Sequence, residues 1–468
     1  MEPKSSERIA ATTTQVRGER ELGNRFIAVL CPISFRARPR RAEGVGVTHR
    51  ATQLSVPQHL PELDGLRAVA AVGIIVTHVS FQTGIGWGIT ERFDYFVAVF
   101  FALSSFLLWR RRGLHAPGEY FFSRVARLAP AYLACVAVVL ALLPEAHTAS
   151  PGQVLSNLTA TQIYVKDGLA PGLTHLWSLC VEFAFYLVLP LLAWALAGRT
   201  RGQRIAVLVT AGILSLGWVF LPFVADYDSN QVNSQIWPPA YTLWFVVGMV
   251  AAECEGHLPR WARKVFGWRW LWWLLAAGCV WLASREWFGP RGLVHPGPQE
   301  FVQRIVVGAV FGMCVVVPVA LVPRETSLYA YPFVLGLGRW SYSLFLWHVA
   351  VLSLVFPLAG IPLFSGQVAD FVLVLVLTVA GSVVVAAVSY VLIEAPGRRW
   401  IFQARQRRRA QPQQEIRVPR IRAAGPGRAG QHRACDSHEP SGQGGGGDGG
   451  PTHDGPGTQP GDKALPAQ

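Results

Sequence analysis

Long apolar segments separated by short polar connectors occupy most of the chain. Hydropathy marks ten of these segments as candidate membrane spans. They cover residues 64–84, 93–109, 126–144, 173–197, 205–224, 237–253, 270–284, 301–322, 334–358 and 367–393. The pattern predicts an all-α fold, a polytopic membrane helical bundle of about ten transmembrane helices. Nine or eleven spans also fit, because Gly and Pro interrupt the later segments.

Basic residues are concentrated in every second connector. These connectors hold Arg110, Arg111, Arg112, Arg124 and Arg127, then Arg199, Arg201 and Arg204, then Arg260, Arg263, Lys264 and Arg269. The connectors between them carry fewer Lys and Arg residues. Because basic connectors are retained on the cytoplasmic side, the pattern predicts a multi-pass protein of the cell membrane with both termini in the cytoplasm.

Composition supports the membrane setting. Of 468 residues, 51% are hydrophobic and only 15% are charged, whereas a soluble protein of this size would carry more surface charge. The net charge of +14 does not accompany a soluble DNA- or RNA-binding module, so we expect a lipid membrane and no nucleic acid as partner. The seven cysteines are scattered without a CxxC pair, so we expect neither a metal site nor a disulfide framework.

The two ends of the chain differ from its apolar middle. Residues 1–56 are basic and lack sustained periodicity, which predicts a disordered N-terminal arm. Residues 398–468 begin with a basic stretch and continue as a Gly- and Pro-rich segment, which predicts a disordered C-terminal tail. The transmembrane domain is therefore expected at 57–397.

A histidine lies deep in the first apolar segment. His78 follows Arg67 by eleven residues, which places it about 16 Å along a helix and on nearly the same face. With Arg67 at the membrane surface, the imidazole lies near the middle of the hydrocarbon core. An ionisable group at that depth usually lines a polar cavity with a chemical task. The alternative is a packing histidine bonded to a neighbouring carbonyl.

Five motifs follow one another along the chain. They are DGLR (64–67) with His78 beyond it, FFSRVARLAPAY, HLWSLCVEFAFYLVLP, LGRWSYSLFLWH and YVLIEAP. In this order and spacing the chain resembles the acyltransferase family 3 integral-membrane proteins, which move acyl groups from coenzyme A thioesters to hydroxyls. The resemblance covers about residues 58–400. Ala68 and the pair Phe183–Ala184 depart from the family pattern, and the latter removes polar groups next to Glu182.

The resemblance implies an O-acyltransferase. Its donor would be acyl-CoA, with an acetyl or another short acyl group, and no permanently bound cofactor or metal is expected. Its acceptor would be a hydroxyl of a carbohydrate or of a glycosylated or polyketide-type metabolite. His78 and Glu182 are the implied catalytic residues, with His78 as general base because its spacing from Arg67 matches the family. The donor-binding residues implied are Arg67, Arg124 and Arg127.

The residue types fit these roles. Arg124 and Arg127 share a helical face, and a guanidinium fork suits bidentate binding of the 3′-phosphate and pyrophosphate of coenzyme A. Asp64 and Arg67 are three apart and are expected to pair on the first helix. Ordinary positive-inside anchoring also explains arginines at these positions.

Two further helical faces carry polar residues. Ser178, Glu182 and Tyr186 follow one another at i, i+4 and i+8. Glu182 is expected either to orient His78 or to bind the acceptor hydroxyl, the alternative being an interhelical hydrogen bond.

Ser341 and His348 are seven residues apart and share the second face. With Ser178 and Tyr186 they are candidate substrate-binding residues. The sequence alone does not decide which histidine is the base, and a structural role is favoured for His348. Glu394 is expected to make a helix-end contact.

Two questions about function stay open at this point. Some relatives carry a fused hydrolase-like domain outside the membrane; no pattern here predicts one, so transfer is expected to finish in the membrane domain or on a separate extracytoplasmic transferase. A transporter or flippase of a glycan or lipid-linked intermediate would also have about ten spans. It would show internal repeats, of which none is convincing here, and would leave the arginine pair unexplained.

Overall fold

The computed structural model describes residues 59–114, 116–226, 231–291, 295–324 and 326–410. Every secondary-structure element within these ranges is helical, which confirms the predicted all-α class. The disorder predicted for residues 1–56, and for the tail beyond residue 410, falls outside the described residues.

The described ranges contain α-helices of eight or more residues, numbered here along the chain. They are α1 (Pro61–Thr83), α2 (Phe96–Trp109), α3 (Pro117–Leu142), α4 (Pro151–Leu158), α5 (Trp177–Ala195), α6 (Arg201–Ser215), α7 (Thr242–Cys254), α8 (Arg260–Gly267), α9 (Arg269–Ala283), α10 (Pro298–Leu321), α11 (Pro332–Ala359), α12 (Val368–Ser389) and α13 (Ala395–Ala410). Short 3-10 turns and four-residue helices connect them.

The number of membrane-spanning helices is close to the predicted ten. Within the described ranges, eight helices are long and apolar enough to cross a membrane, and a ninth span results if α8 and α9, which are bent by 65°, are counted together. The remaining predicted span, 237–253, corresponds to α7, which has only 13 residues. At 1.5 Å per residue this helix is about 20 Å long.

The contacts at the two ends of the segment containing α7 show that it nevertheless runs through the bundle. Near its C-terminus, Glu253 pairs with Arg112 at 2.5 Å and with Arg204 at 2.8 Å, at the end of the bundle where the basic connectors lie. Before its N-terminus, Gln235 donates a hydrogen bond to the carbonyl of Pro296, which precedes α10. The segment therefore connects the basic end of the bundle with the opposite end.

Buried glutamates hold helix ends together at the basic end. Glu62 accepts two hydrogen bonds from the Arg269 guanidinium, at 2.6 and 2.8 Å, and a third from the backbone N–H of Arg324. The start of α1 is thereby joined to the start of α9 and to the segment after α10. Removing one partner from such a buried pair leaves an uncompensated charge, so the loss of Glu62 or Arg269 is expected to destabilise the packing of these helices.

Close backbone contacts bring α1, α2, α7 and α11 together. A Cβ on Gly248 of α7 would lie 2.0 Å from the Ala102 carbonyl oxygen of α2. A Cβ on Gly338 of α11 would lie 2.1 Å from the Asp64 carbonyl oxygen of α1. Glycine at these helix crossings therefore allows the backbones to approach, as is common between membrane helices.

The segment predicted as the start of the C-terminal tail differs from expectation. Residues 398–410 belong to α13, which follows a π-helical turn at Tyr390–Glu394. The Arg405 guanidinium lies 4.2 Å from the ring centroid of Phe122, and the Phe402 ring packs edge-on against the same ring. These contacts with α3 give the basic segment a packing surface that its composition alone did not reveal.

Candidate active site

A cavity of about 280 Å³ opens at the basic end between α1, α2, α3, α5 and α11. Seven of the nine candidate site residues from the sequence line it: Arg67, Arg124, Arg127, Ser178, Glu182, Tyr186 and Ser341. His78 and His348 lie beyond its inner end. Segments distant in the chain thus meet at one site.

The mouth of the cavity is rich in arginine. Arg67 donates to Asp64 at 3.4 Å, which confirms the predicted pair. Arg124 and Arg127 line the cavity and make no side-chain hydrogen bond or ion pair with another described residue, and the buried Nε of Arg124 has no partner. Arg111 also lines the mouth. From the sequence, Arg111 was assigned only a role in fixing the orientation of the protein in the membrane, because it lies in a basic connector and belongs to no recognisable motif.

A carboxylate occupies the middle of the cavity. Glu182 accepts a short hydrogen bond from the Ser104 hydroxyl and another from the Tyr186 hydroxyl, at 2.5 Å, through the same oxygen, Oε1. Within the described residues Glu182 makes no hydrogen bond with His78, so this structure gives no contact by which it would orient the imidazole. Ser104 was missed from the sequence, although a hydroxyl pair in the apolar α2 was a weak signal.

Two hydroxyls on the cavity wall bond to their own helices. Ser178 donates to the carbonyl of His175 at 3.3 Å, and Ser341 donates to the carbonyl of Gly338 at 2.8 Å. These intrahelical bonds satisfy the hydroxyl protons and leave the oxygen lone pairs as acceptors. Both residues line the cavity, and their substrate-binding role stays a prediction.

Three histidines from different parts of the chain form a cluster beyond the inner end of the cavity. The ring centroid of His78 lies 5.0 Å from that of His348 and 6.2 Å from that of His175, and the latter two are 4.7 Å apart. The sequence had left the choice between His78 and His348 open, and the structure places them side by side. His175 was missed; its signal was its place at the start of the HLWSLCVEF motif.

Each imidazole donates to a backbone carbonyl. His78 uses Nδ1 toward Ile74 at 2.9 Å, His348 uses Nδ1 toward Phe345 at 2.7 Å, and His175 uses Nε2 toward Leu346 at 3.2 Å. A carbonyl oxygen only accepts, so these nitrogens carry the protons and the other nitrogen of each neutral ring is an acceptor. Such a nitrogen can take a proton from a hydroxyl.

Accessibility distinguishes the three rings. His348 is 0% exposed and His175 is 3% exposed, and the acceptor nitrogen of each is buried without a hydrogen-bond partner in the described part of the chain. His78 is only partly buried. Of the three rings, His78 therefore has the largest exposed fraction, although it is not part of the cavity lining.

Glu394 lies outside the cavity lining. It is buried and accepts a hydrogen bond from the Ser343 hydroxyl at 2.9 Å, joining the π-helical turn to α11. The predicted helix-end contact is therefore wrong, because the helix continues through Glu394 from Val368 to Arg407 and the contact joins two helices. In the described parts of the chain, no group of three or more His, Cys, Asp or Glu residues is arranged so that it could hold a metal ion.

Comparison with known proteins identifies relatives. The chain is 23% identical over 372 residues to the peptidoglycan O-acetyltransferase OatA of Listeria monocytogenes, an alignment that covers 73% of this chain and 56% of the relative. It is 26% identical over 384 residues to the O-acetyltransferase OatA of Staphylococcus aureus, covering 76% of this chain and 60% of the relative. The chain therefore spans less than two thirds of the length of these relatives. No solved structure was found to match it.

The family model described as an acyltransferase domain matches residues 60–387. This range contains all nine candidate residues, the arginine-lined cavity and the histidine cluster. With most of the chain matched and a polytopic helical bundle in place, the protein belongs to the acyltransferase family 3 of multi-pass membrane proteins.

Proposed function

We propose that the chain transfers a short acyl group from acyl-CoA to a hydroxyl of a carbohydrate acceptor. The observation that carries this proposal is the order of groups from the basic end inward: Arg124 and Arg127 without an ion pair to another described residue, a cavity, and beyond its inner end a cluster of imidazoles, two of which have an acceptor nitrogen with no partner among the described residues. This order matches the order of groups in an acyl-CoA, whose phosphates and thioester lie at opposite ends.

The donor is expected to enter from the basic end. Arg67, Arg124 and Arg127 would bind its phosphates, since charge-assisted bonds to a guanidinium fork are strong and geometrically specific. Basic connectors mark the cytoplasmic side by the positive-inside rule, which is the side where acyl-CoA is available. The cavity then directs the pantetheine arm toward His78.

His78 is the proposed general base. Its Nε2 takes the proton of the acceptor hydroxyl while the oxygen attacks the thioester carbonyl. The carbon–sulfur bond then breaks, and the coenzyme A thiolate leaves and takes the proton from the imidazolium. The Ile74 carbonyl holds Nδ1–H and so keeps Nε2 unprotonated for the first step. General-base assistance of this kind is worth about 10²–10⁴-fold.

Glu182 would bind the acceptor or the donor arm through its second carboxylate oxygen, because Oε1 already accepts two hydrogen bonds. A carbohydrate acceptor is favoured because the relative from Listeria monocytogenes is named a peptidoglycan O-acetyltransferase. Since the relatives extend well beyond the aligned region, a separate extracytoplasmic transferase that completes the transfer is the alternative route.

The proposal is tested by following thioester loss from acetyl-CoA with the purified protein in lipid vesicles and an oligosaccharide acceptor. The His78→Ala variant should lose about 10²–10⁴-fold in rate while inserting normally. The matched control is His147→Ala, which changes an exposed histidine in the connector after α3.

Two outcomes would change the assignment. If His78→Ala retains activity and His348→Ala does not, the base is the other histidine of the cluster. If the wild-type protein neither binds acyl-CoA nor consumes its thioester, the proposed function is wrong and a transport function without acyl transfer becomes the leading alternative.

A further inference from the structure

We propose that the inner end of the cavity is the acyl-binding pocket and that Phe345 and Phe100 limit the length of the acyl chain it takes. This inference rests on the proposed function, which supplies the acyl-CoA. It adds the residues that select among acyl donors.

Polarity changes along the depth of the cavity. The cavity lining is rich in charged residues at the mouth and mostly apolar at the inner end. On α1 the series of lining residues ends at Ile74, whereas on α5 it ends at the polar Ser178, one residue beyond Leu179. On α2 it ends at Phe100 and Val97. A ligand that matches this gradient is anionic at one end and apolar at the other.

Phe345 forms the wall between the inner end and the histidine cluster. The residue lines the cavity, and its ring centroid lies 5.4 Å from that of His175 and 5.6 Å from that of His348. On the cavity side, the Phe100 ring lies 5.9 Å away. The two rings therefore narrow the cavity at the place where a thioester carbonyl would approach the imidazoles.

The position of the wall relative to His78 limits the acyl chain. Ile74 is one helical turn before His78, and its carbonyl accepts the His78 N–H, so the inner end and the base are adjacent on α1. A thioester carbonyl that reaches this boundary places its alkyl chain among Ile74, Val97 and the two phenylalanine rings. A short chain fits against these side chains, whereas each added methylene must displace a ring from a packed position.

The experiment compares acetyl-CoA, butyryl-CoA and hexanoyl-CoA as donors for the purified full-length protein in vesicles, with kcat/KM from thioester loss. The wild-type protein should prefer acetyl-CoA to hexanoyl-CoA. Phe345→Ala should raise the hexanoyl-to-acetyl ratio by at least about tenfold, since a single methylene in an apolar pocket can change kcat/KM that much. Phe100→Ala should move the ratio in the same direction, and it does so without removing a ring that contacts the histidines.

Two further variants sharpen the test. Val97→Leu narrows the acyl pocket and should lower the hexanoyl-to-acetyl ratio of kcat/KM. Leu358→Ala is the matched control, because Leu358 lies on the same helix as Phe345 but is 83% exposed. Its ratio should equal that of the wild-type protein.

The possible outcomes distinguish failure of the acyl-pocket assignment from failure of the proposed acyl-transfer function. If acetyl-CoA is consumed and both Phe345→Ala and Phe100→Ala leave the ratio unchanged, the pocket assignment is overturned while the proposed function stands. If Leu358→Ala changes the ratio as much as Phe345→Ala, the effect is not local and the assignment is also overturned. If no donor is consumed by the wild-type protein, the proposed function itself fails.

Discussion

Two groups of arginines at the basic end differ in a way that the sequence does not show; Arg67 and Arg110, which line the cavity and also pair with a carboxylate, belong to neither. In the clamp group, Arg112 and Arg204 pair with Glu253, and Arg269 pairs with Glu62; both glutamate side chains are 2% exposed. In the cavity group, Arg124 and Arg127 line an open space and make no ion pair with another described residue. The positive-inside rule accounts for the location of both groups, but only pairing distinguishes an arginine that holds helices together from one available to a ligand.

The largest expected effect lies in the clamp group. Replacing Glu253 with Ala leaves Arg112 and Arg204 without their partner and removes an acceptor from the Trp109 indole N–H. We expect the free energy of unfolding to fall by about 3–5 kcal/mol, as for other buried pairs that lose one member. Thermal denaturation in one detergent measures this, with the exposed Glu286→Ala as control. An unchanged denaturation temperature for Glu253→Ala would show that the clamp does not stabilise the bundle.

Substitutions in the cavity group should weaken donor binding and leave the stability of the protein unchanged. Arg124→Ala and Arg127→Ala should leave the denaturation temperature nearly unchanged, because neither side chain forms an ion pair with any residue that the structure describes. Each should weaken acyl-CoA binding by about 10- to 100-fold, the value of a hydrogen bond to a charged group. Lysine at either position should restore only part of the affinity for acyl-CoA, since it keeps the positive charge but lacks the two parallel N–H donors of a guanidinium group.

These variants test the two groups against each other. Equilibrium binding and thermal denaturation are measured on the same preparations. If Arg124→Ala and Arg127→Ala destabilise the protein and leave donor affinity unchanged, both residues belong with the clamp group, as topology anchors.

The smallest expected effect concerns the chain ends. A protein shortened to residues 57–410 keeps the cavity, both arginine groups and α13, whose Arg405 and Phe402 pack on Phe122. We expect it to insert, fold and transfer acyl groups within about twofold of the full-length rate, because the removed segments lack the apolar periodicity of a core. Normal insertion with lost activity would mean that an end segment contributes to the site or recruits the acceptor.

Local patterns predicted the helices and several site residues. The eleven-residue spacing of Arg67 and His78 reports a shared helical face, and the same reasoning aligned Ser178, Glu182 and Tyr186. Such patterns depend only on residues within one helix, so they can be predicted from the amino-acid sequence. The predicted span at 237–253 was identified correctly as a helical segment, although its helix is short and its ends are set by contacts such as Glu253 with Arg204.

Contacts between helices could not be predicted in this way. Arg269 and Glu62 are 207 residues apart, and nothing in either local sequence indicates the other. His175 joins His78 and His348 only because the 3-10 turn before α5 meets α1 and α11, and Glu182 bonds to Ser104 across the cavity rather than to His78. The preference for His78 as the candidate base therefore rests on the exposed fraction of each ring in the assembled bundle, which the sequence does not show.

The most direct test of the account is a binding cycle between the cavity arginines and the donor phosphates. Affinities of coenzyme A, dephospho-coenzyme A and pantetheine are measured by calorimetry for the wild-type protein and for Arg124→Ala and Arg127→Ala. The account predicts that each variant loses about 10- to 100-fold in affinity for coenzyme A and almost none for pantetheine, because only the phosphates pair with the guanidinium forks. Equal losses for both ligands, or no loss for either, would contradict it.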